Sequence, residues 1–141
     1  MASQDQRQIE AARALVRELA ATLDVAYGPH PLRKVDVFPA AGGNGRAPVH
    51  VFFHGGYWRA QDKENFAFVA GVLVPLGITT VIANYELCPA STLDGVVDSA
   101  LAACLPVWWI HPARPEAPRL LGKAPAPSTE PQAALAQLIR K

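Results

Sequence analysis

Two short apolar runs on either side of a helical segment constrain the fold of this 141-residue chain most strongly. Residues 49–53 and 78–83 are rich in β-branched and aromatic side chains, which are typical of buried strands. Between them, residues 63–76 carry apolar side chains at helical spacing, and Gly77 then ends the predicted helix. Strand, helix and strand in this order predict a βαβ unit with two parallel strands and a right-handed crossover.

The segments around this unit extend the same pattern. The alternation of residues 34–38 predicts a further strand, and residues 93–104 predict a further helix. The chain opens with apolar residues three and four apart, which predict an amphipathic helix that stops before Gly28. Ser3 and Gln6 have the spacing of a capping box for that helix. The apolar face consists of Ile9, Ala12, Val16, Leu19 and Leu23.

Proline content divides the chain into two parts. The first 100 residues contain 6 prolines and the last 41 contain 7. Because each proline removes a backbone donor and disfavours helix at the preceding residue, little regular structure is expected in the second part. That part also has a charge surplus of +3, with 5 basic and 2 acidic residues. We therefore predict an ordered body, residues 1–100, and an irregular, basic, proline-rich tail, residues 101–141.

Overall composition excludes several classes of function. The formal net charge is +1, so no bulk attraction to nucleic acid or to a membrane surface is expected. No apolar run is long enough for a membrane span, and the first ten residues lack the order of a secretory signal. The two cysteines, Cys88 and Cys104, do not have the spacing of a disulfide or metal framework. These observations predict a cytoplasmic protein without a metal site.

The stretch that follows the strand at residues 49–53 carries the clearest chemical signal. It consists of His54, Gly55, Gly56, Tyr57 and Trp58. Adjacent glycines allow a sharp turn that leaves backbone N–H groups free, and free N–H groups at a strand end suit an anion or a developing oxyanion. A plain glycine turn would need no such function and remains the alternative.

This stretch, Asp62-Lys63 and the segment from Asn84 to Pro89 resemble the N-terminal part of the kynurenine formamidase-like α/β-hydrolases and related esterases. The resemblance covers roughly residues 10–100. It implies an incomplete α/β-hydrolase sheet of three to four strands with flanking helices. It also implies hydrolysis of an aryl formamide or carboxylic ester, a small-molecule acyl substrate, and no cofactor.

The same resemblance implies roles for individual residues. The N–H groups of Gly55, Gly56 and Tyr57 would form an oxyanion hole, and His54 would brace the loop without being the catalytic histidine. Tyr57 and Trp58 would line the substrate pocket, although apolar packing would explain them equally well. Glu86 stands where many related esterases have an arginine, so an ion pair at that position is in question.

The residues that would perform the covalent chemistry are missing from the sequence. None of the four serines (Ser3, Ser91, Ser99 and Ser128) lies in the Gly-x-Ser-x-Gly frame, and no acid and histidine follow in the required order. We therefore assign no catalytic residue and expect this chain to be inactive. The change in composition after about residue 100 is what an altered reading frame in a GC-rich gene would give.

Two other hypotheses remain open. Without a neighbouring strand, residues 49–53 would form an open apolar edge, and the chain could be a binding or self-associating module. Residues 107–110 have strand-like composition and could cover that edge. Alternatively, the chain could be an active enzyme that uses Cys88 or a serine from a partner chain.

The charged residues from Arg59 to Glu64 are predicted to form a surface cluster at the start of the helix over residues 63–76.

Overall fold

The computed structural model describes residues 4–42, 46–110 and 130–139. These residues form one four-stranded sheet with helices on both faces, in the strand order β1-β2-β4-β3. The elements are α1 (Gln4–Glu18), β1 (Thr22–Ala26), β2 (Lys34–Phe38), β3 (Val49–Phe53), α2 (Phe68–Leu73), β4 (Thr79–Ala83), α3 (Leu93–Ile110) and α4 (Glu130–Ile139), and short 3-10 helices, Lys63–Phe66 and Val74–Leu76, flank α2.

The predicted βαβ unit is confirmed. Strand β3 pairs in parallel with β4, whereas β2 is antiparallel to β4 and β1 is antiparallel to β2. All five residues of β4 are buried, the polar Thr79 and Thr80 included. Phe53 lies opposite Ala83, so β3 and β4 end at the same level. The chain therefore brings the residues that follow each strand, His54 and Asn84, to the same edge of the sheet.

The expectation of a long opening helix is wrong in its second half. Helix α1 ends at Glu18, and Leu23, which was assigned to its apolar face, lies instead in β1 with 46% of its surface exposed. Pairing with β2 satisfies the backbone groups of residues 22–26 within the sheet, and this tertiary contact overrides the helical spacing of the apolar residues. Ser3, the expected capping residue, lies outside the described residues.

The predicted helix over residues 63–76 forms as three short pieces. The Asp62 side chain caps the first piece by accepting a hydrogen bond of 3.0 Å from the Glu64 N–H. Pro75, which has no N–H, lies in the last piece, and Gly77 ends it with φ of 78°, a conformation that glycine adopts without strain. The boundaries of this segment were thus predictable, but its division was not.

Each face of the sheet carries its own apolar core. One core packs the sheet against α3 and α4, and the other packs it against α1 and α2. The first includes Tyr27, Val35, Val37, Val81, Ala83, Ala103, Leu135 and Ile139, and the second includes Phe38, Ala67, Ala70, Val74 and Ile82.

Parts of the predicted irregular tail are helical. Residues 101–110 continue α3, and residues 130–139 form α4, which buries Leu135 and Ile139 completely or almost so. Residues 107–110 belong to a helix, so the prediction that they form an edge-covering strand is wrong. Most of the prolines after α3 fall in residues 111–129, outside the described residues. No helix in the described ranges is both long enough and apolar enough to cross a membrane.

Candidate functional site

The loop that follows β3 has an unusual backbone. Gly56 has φ of 119°, and the non-glycine residues Tyr57, Trp58 and Gln61 have φ of 54°, 57° and 80°. The Gly56 carbonyl accepts hydrogen bonds from the N–H groups of Arg59 and Ala60 at 3.0 and 3.2 Å, which closes the turn. A Cβ added at Gly56 would overlap the Ala60 carbonyl oxygen. The second glycine of the pair is therefore required by the turn itself.

The turn leaves three backbone donors free. In the part of the chain that the structure describes, no acceptor pairs with the N–H groups of Gly55, Gly56 or Tyr57. Space around Gly55 is open, and the side chains of Tyr57 and Trp58 are 90% and 54% exposed. Unpaired N–H groups at the carboxyl end of a strand are the donors that an oxyanion needs. The exposed rings lie beside these N–H groups and do not take part in core packing.

His54 lies beneath the loop and is almost completely buried. Its Nε2 lies 3.1 Å from Asn84 Oδ1, and its Nδ1 lies 2.8 Å from the Gly55 carbonyl oxygen. The ring stacks on Tyr85 at a centroid distance of 4.6 Å and on Phe66 at 5.8 Å. These contacts fix the ring within the fold, and they support a bracing role rather than an exposed catalytic one.

Asn84 joins the loop to the sheet. Its Oδ1 accepts a hydrogen bond from the Lys63 N–H at 2.8 Å, and its Nδ2 donates to Asp62 Oδ2 at 2.8 Å. These two bonds orient the amide, so His54 Nε2 is the donor in its contact with Oδ1. The Asn84 main chain is held as well, because its carbonyl accepts the Tyr27 hydroxyl at 2.6 Å. Asn84 thus fixes His54 and the start of the following 3-10 helix together.

The residues after Asn84 hold the loop from its other side. The Tyr85 hydroxyl donates to the His54 carbonyl at 2.6 Å, and the Cys88 N–H donates to the Trp58 carbonyl at 2.7 Å. Burial raises the pKa of Tyr85, so this phenol remains a donor at neutral pH. Both ends of the loop are consequently tied to one short segment, residues 84–88.

Glu86 does form an ion pair. It supplies the negative charge of that pair, whereas the arginine expected here from related esterases would supply the positive charge. Its Oε1 lies 2.8 Å from Arg33 Nε, and its Oε2 accepts the Ser91 hydroxyl at 2.8 Å. The Ser91 hydrogen bond lowers the pKa of Glu86 against the opposing effect of burial, and Arg33 lowers it further. Glu86 therefore connects the 84–88 segment to the chain before β2.

The predicted surface cluster from Arg59 to Glu64 is wrong for Lys63. The side chain of Lys63 is only 3% exposed, and its Nζ lies 2.9 Å from Asp36 Oδ1 and 3.0 Å from Asp24 Oδ1. Burial alone would lower the pKa of Lys63, but the bonds to Asp36 and Asp24 outweigh burial and raise it. The hydrogen bond and charge of Lys63 in turn lower the pKa of Asp24. Lys63 is therefore a buried charged residue that links the first 3-10 helix to β1 and β2, and it is not a surface group.

The structure gives the remaining nucleophile candidates structural surroundings. Ser99 is fully buried, and its hydroxyl donates to the Val96 carbonyl and accepts the Glu86 N–H. Ser91 donates to Glu86, as described above. Burial raises the pKa of the Cys104 thiol and so disfavours a thiolate. Cys88 is a free, half-buried cysteine beside Trp58. Ser3 and Ser128 lie outside the described residues.

Metal ligands are not grouped anywhere in the described ranges. No set of three or more His, Cys, Asp or Glu side chains there could hold an ion.

Part of this chain is similar in sequence to known proteins. No protein-family model matches the chain. Kynurenine formamidase of Danio rerio is 33% identical over 88 residues, which is 62% of this chain and 29% of that protein. Kynurenine formamidase of Drosophila melanogaster is 36% identical over 83 residues, or 58% of this chain and 27% of that protein. The chain therefore spans less than a third of the length of these relatives.

Solved structures of a thioesterase and an esterase are similar to this chain in fold. A Silicibacter protein described as a thioesterase superposes with a TM-score of 0.63 at 29% identity, over 69% of this chain and 37% of that one. Esterase LipW of Mycobacterium marinum superposes with a TM-score of 0.59 at 22% identity, over 74% of this chain and 34% of that one. The chain carries part of an α/β-hydrolase fold. It resembles kynurenine formamidases and, more distantly, esterases.

Sequence reasoning found the loop but missed what holds it. Asn84 and Tyr85 were part of the resemblance without a role of their own, and Tyr27 was not singled out. An Asn-Tyr pair directly after a strand predicted to be buried was the available signal, because polar side chains at the end of a buried strand need partners there. The partners of Asn84 are distant in sequence and could be found only from the fold.

Proposed function

We propose that residues 54–58 form the oxyanion-binding part of a hydrolase that acts on an aryl formamide or a carboxylic ester. The observation that supports this most directly is the set of free N–H groups at Gly55, Gly56 and Tyr57. They lie at the carboxyl end of a parallel strand, where they can stabilise negative charge that develops on a carbonyl oxygen. The names of the relatives, kynurenine formamidase and esterase, support the same substrate class.

We further propose that the 141 residues alone do not turn over such a substrate. In acyl transfer a side-chain nucleophile attacks the carbonyl carbon, a histidine removes its proton, and the oxyanion hole receives the charge. Here the hole has donors, but no serine has the required turn, and the hydroxyls of Ser91 and Ser99 are engaged in structural hydrogen bonds. The loop can therefore bind an oxyanion without generating one.

Two measurements test this function in the intact chain. Labelling with a fluorophosphonate, read by mass spectrometry, is expected to leave the chain unmodified, and stoichiometric labelling of Ser91, Ser99 or Cys88 would refute the proposed inactivity. Titration with formate, followed by NMR, is expected to shift the amide signals of Gly55, Gly56 and Tyr57. Formate serves as the probe because it is the acid released from a formamide.

Paired variants at Gly55 sharpen the second measurement. Gly55→Ala keeps the N–H and has open space for its Cβ, so the formate response should persist. Gly55→Pro removes the N–H and should weaken the response, while unchanged ring signals of His54 report an intact loop. Equal responses of the two variants, or no response in the parent chain, would reject the oxyanion-binding role.

One observation favours a second function, self-association through the sheet. Strand β3 pairs only with β4 among the described residues, so its other edge has no strand partner in that part of the chain. Such an edge can pair with a second copy of the chain. Sedimentation velocity over a concentration series should then show a dimer, and His50→Lys on the exposed side of β3 should weaken it more than His30→Lys in a loop. A monomer at every concentration would reject this function.

A further inference from the structure

A cavity of about 280 Å³ lies between α1 and the sheet, on the side of β1. None of its lining residues belongs to the loop at residues 54–58, so it is separate from the candidate oxyanion site. Its size is near the lower end of the range for small-molecule pockets. It is lined by charges of both signs and by an apolar wall formed by Val16 and Leu23.

The floor of the cavity carries more negative than positive charge. Two carboxylates, Asp24 and Asp36, share the single ammonium group of Lys63, each through its Oδ1. The second oxygen of each carboxylate has no partner among the described residues. The floor thus offers two carboxylate oxygens to a positively charged group.

The backbone at Asp24 is arranged to place its carboxylate there. Asp24 has φ of 55°, in the left-handed region, and lies at an irregularity in the pairing of β1 with β2. In this conformation its N–H donates to Asp36 Oδ1 at 2.9 Å while its side chain reaches Lys63. Aspartate adopts the left-handed region more readily than most residues, and here the two bonds fix its position.

The rim of the cavity provides the opposite charge. Arg13 and Arg17 lie four residues apart on α1, which places them on the same face of the helix. Neither arginine is paired with a carboxylate in the part of the chain that the structure describes. Two unpaired guanidinium groups beside a pocket are suited to bidentate binding of a carboxylate.

We propose that this cavity binds a small zwitterion with an apolar body, of the class of free α-amino acids with an apolar side chain. The ligand's ammonium group bonds the free oxygens of Asp24 and Asp36, and its carboxylate bonds Arg13 and Arg17. Its side chain packs against Val16 and Leu23. Each of these three parts of the pocket then has a matching part in the ligand. Glu64 also lines the cavity, so the lining has three acidic and three basic groups, and a zwitterion leaves the complex neutral.

Calorimetric titration with three related compounds tests this assignment. L-phenylalanine carries both charges, N-acetyl-L-phenylalanine lacks the ammonium, and L-phenylalanine amide lacks the carboxylate. Because a charge-assisted hydrogen bond contributes enough for about a tenfold change in affinity, each derivative should bind at least about tenfold more weakly than the free amino acid. Equal binding of all three, or no binding of L-phenylalanine at about 10 mM, would overturn the proposal.

Variants locate the binding and separate it from folding. Asp24→Asn retains the backbone N–H and a residue that tolerates positive φ, so the fold should persist while affinity for L-phenylalanine falls about tenfold. Arg17→Gln should give a similar loss. Arg7→Gln changes the same helix outside the cavity and should leave affinity unchanged. Loss of affinity in Arg7→Gln, or none in the other two variants, would exclude this cavity as the site.

Discussion

Two segments meet at the carboxyl end of β3 and β4, and they differ in almost every respect. The loop at residues 54–61 contains four residues with positive φ, three unpaired N–H groups and two exposed aromatic rings. The segment at residues 84–88 is buried at its start, and the side chain of Asn84 makes three hydrogen bonds. The loop thus has a strained backbone and unpaired hydrogen-bond donors, whereas the 84–88 segment is held by hydrogen bonds of the Asn84 side chain.

The difference shows how such a loop can persist in a small fold. A positive φ at a non-glycine residue costs about 1 kcal/mol, and the cost is sustained only where neighbouring structure fixes the backbone. Here the 84–88 segment holds the His54 ring and the carbonyl groups of His54 and Trp58. Disturbing the loop and disturbing its support should therefore have separable effects.

The largest effect is expected from Gly56→Ala. The new Cβ would overlap the Ala60 carbonyl, and alanine would have to adopt φ of 119°. We expect a loss of about 3 kcal/mol in the free energy of unfolding, measured by urea denaturation.

Gly55→Ala is the matched control. Its Cβ meets no atom within 4 Å, and Gly55 is not among the residues with positive φ. We expect a change within about 0.5 kcal/mol. If the two alanine variants had equal stability, the turn would not depend on Gly56, and the described loop geometry would be wrong.

A somewhat smaller effect is expected from Asn84→Ala. The change leaves the buried Lys63 N–H and His54 Nε2 without their acceptor, and unpaired buried donors of this kind cost about 2 kcal/mol in total. Amide hydrogen exchange at Arg59 and Ala60, whose N–H groups donate to the Gly56 carbonyl, should also accelerate relative to exchange in β4, because the loop loses its support while the sheet remains.

Asn65→Ala provides the comparison for Asn84. The Asn65 side chain donates only to Gln61, in an exposed position, at 3.1 Å. Its removal should cost less than about 0.5 kcal/mol and should leave loop exchange unchanged. Faster loop exchange in Asn65→Ala than in Asn84→Ala would contradict the supporting role of residues 84–88.

Much of the sheet could be predicted because its signals are local. The apolar runs of β3 and β4 and the helical segment between them define the parallel pair without any knowledge of distant contacts. Strand β1 was missed because Leu23 continues the helical spacing of α1, and only pairing with β2 decides its conformation. Helix α4 was missed because the prolines and basic surplus of residues 101–141 suggested an irregular tail, whereas Leu135 packs into the core.

The candidate site likewise combines features that the sequence predicts with features that it does not predict. The glycines of the loop follow from the need for a sharp turn at a strand end, which the sequence displays directly. The burial of Lys63 does not, because its partners Asp24 and Asp36 lie far from it in the chain and in different strands. Lysine among other charged residues is typical of a surface, and no local pattern indicates otherwise.

A moderate, pH-dependent effect is expected from Glu86→Gln, which removes the charge that ties the 84–88 segment to Arg33. Because the pKa of Glu86 in the folded chain lies below its ordinary value of 4.5, the carboxylate stabilises the fold above that pH. The contribution is lost as pH falls through the lowered folded value. Thermal denaturation should therefore show a deficit of about 1 kcal/mol at neutral pH that shrinks in acid. A constant deficit across pH would indicate that charge is not the cause.

The smallest expected effect, a gain in stability, comes from Tyr57→Gly. Tyr57 is 90% exposed with φ of 54°, so its ring contributes little packing while its Cβ strains the backbone. Glycine removes the strain but adds freedom to the unfolded chain, and the two effects leave a net gain below about 1 kcal/mol. Tyr57→Ala also removes the ring but keeps the Cβ, so the glycine variant should be the more stable of the two. The same pair of substitutions at the exposed Arg59, which is not among the residues with positive φ, should give the opposite order. If alanine were the better residue at both positions, the loop would not be strained, and the contrast with residues 84–88 would rest on its free N–H groups alone.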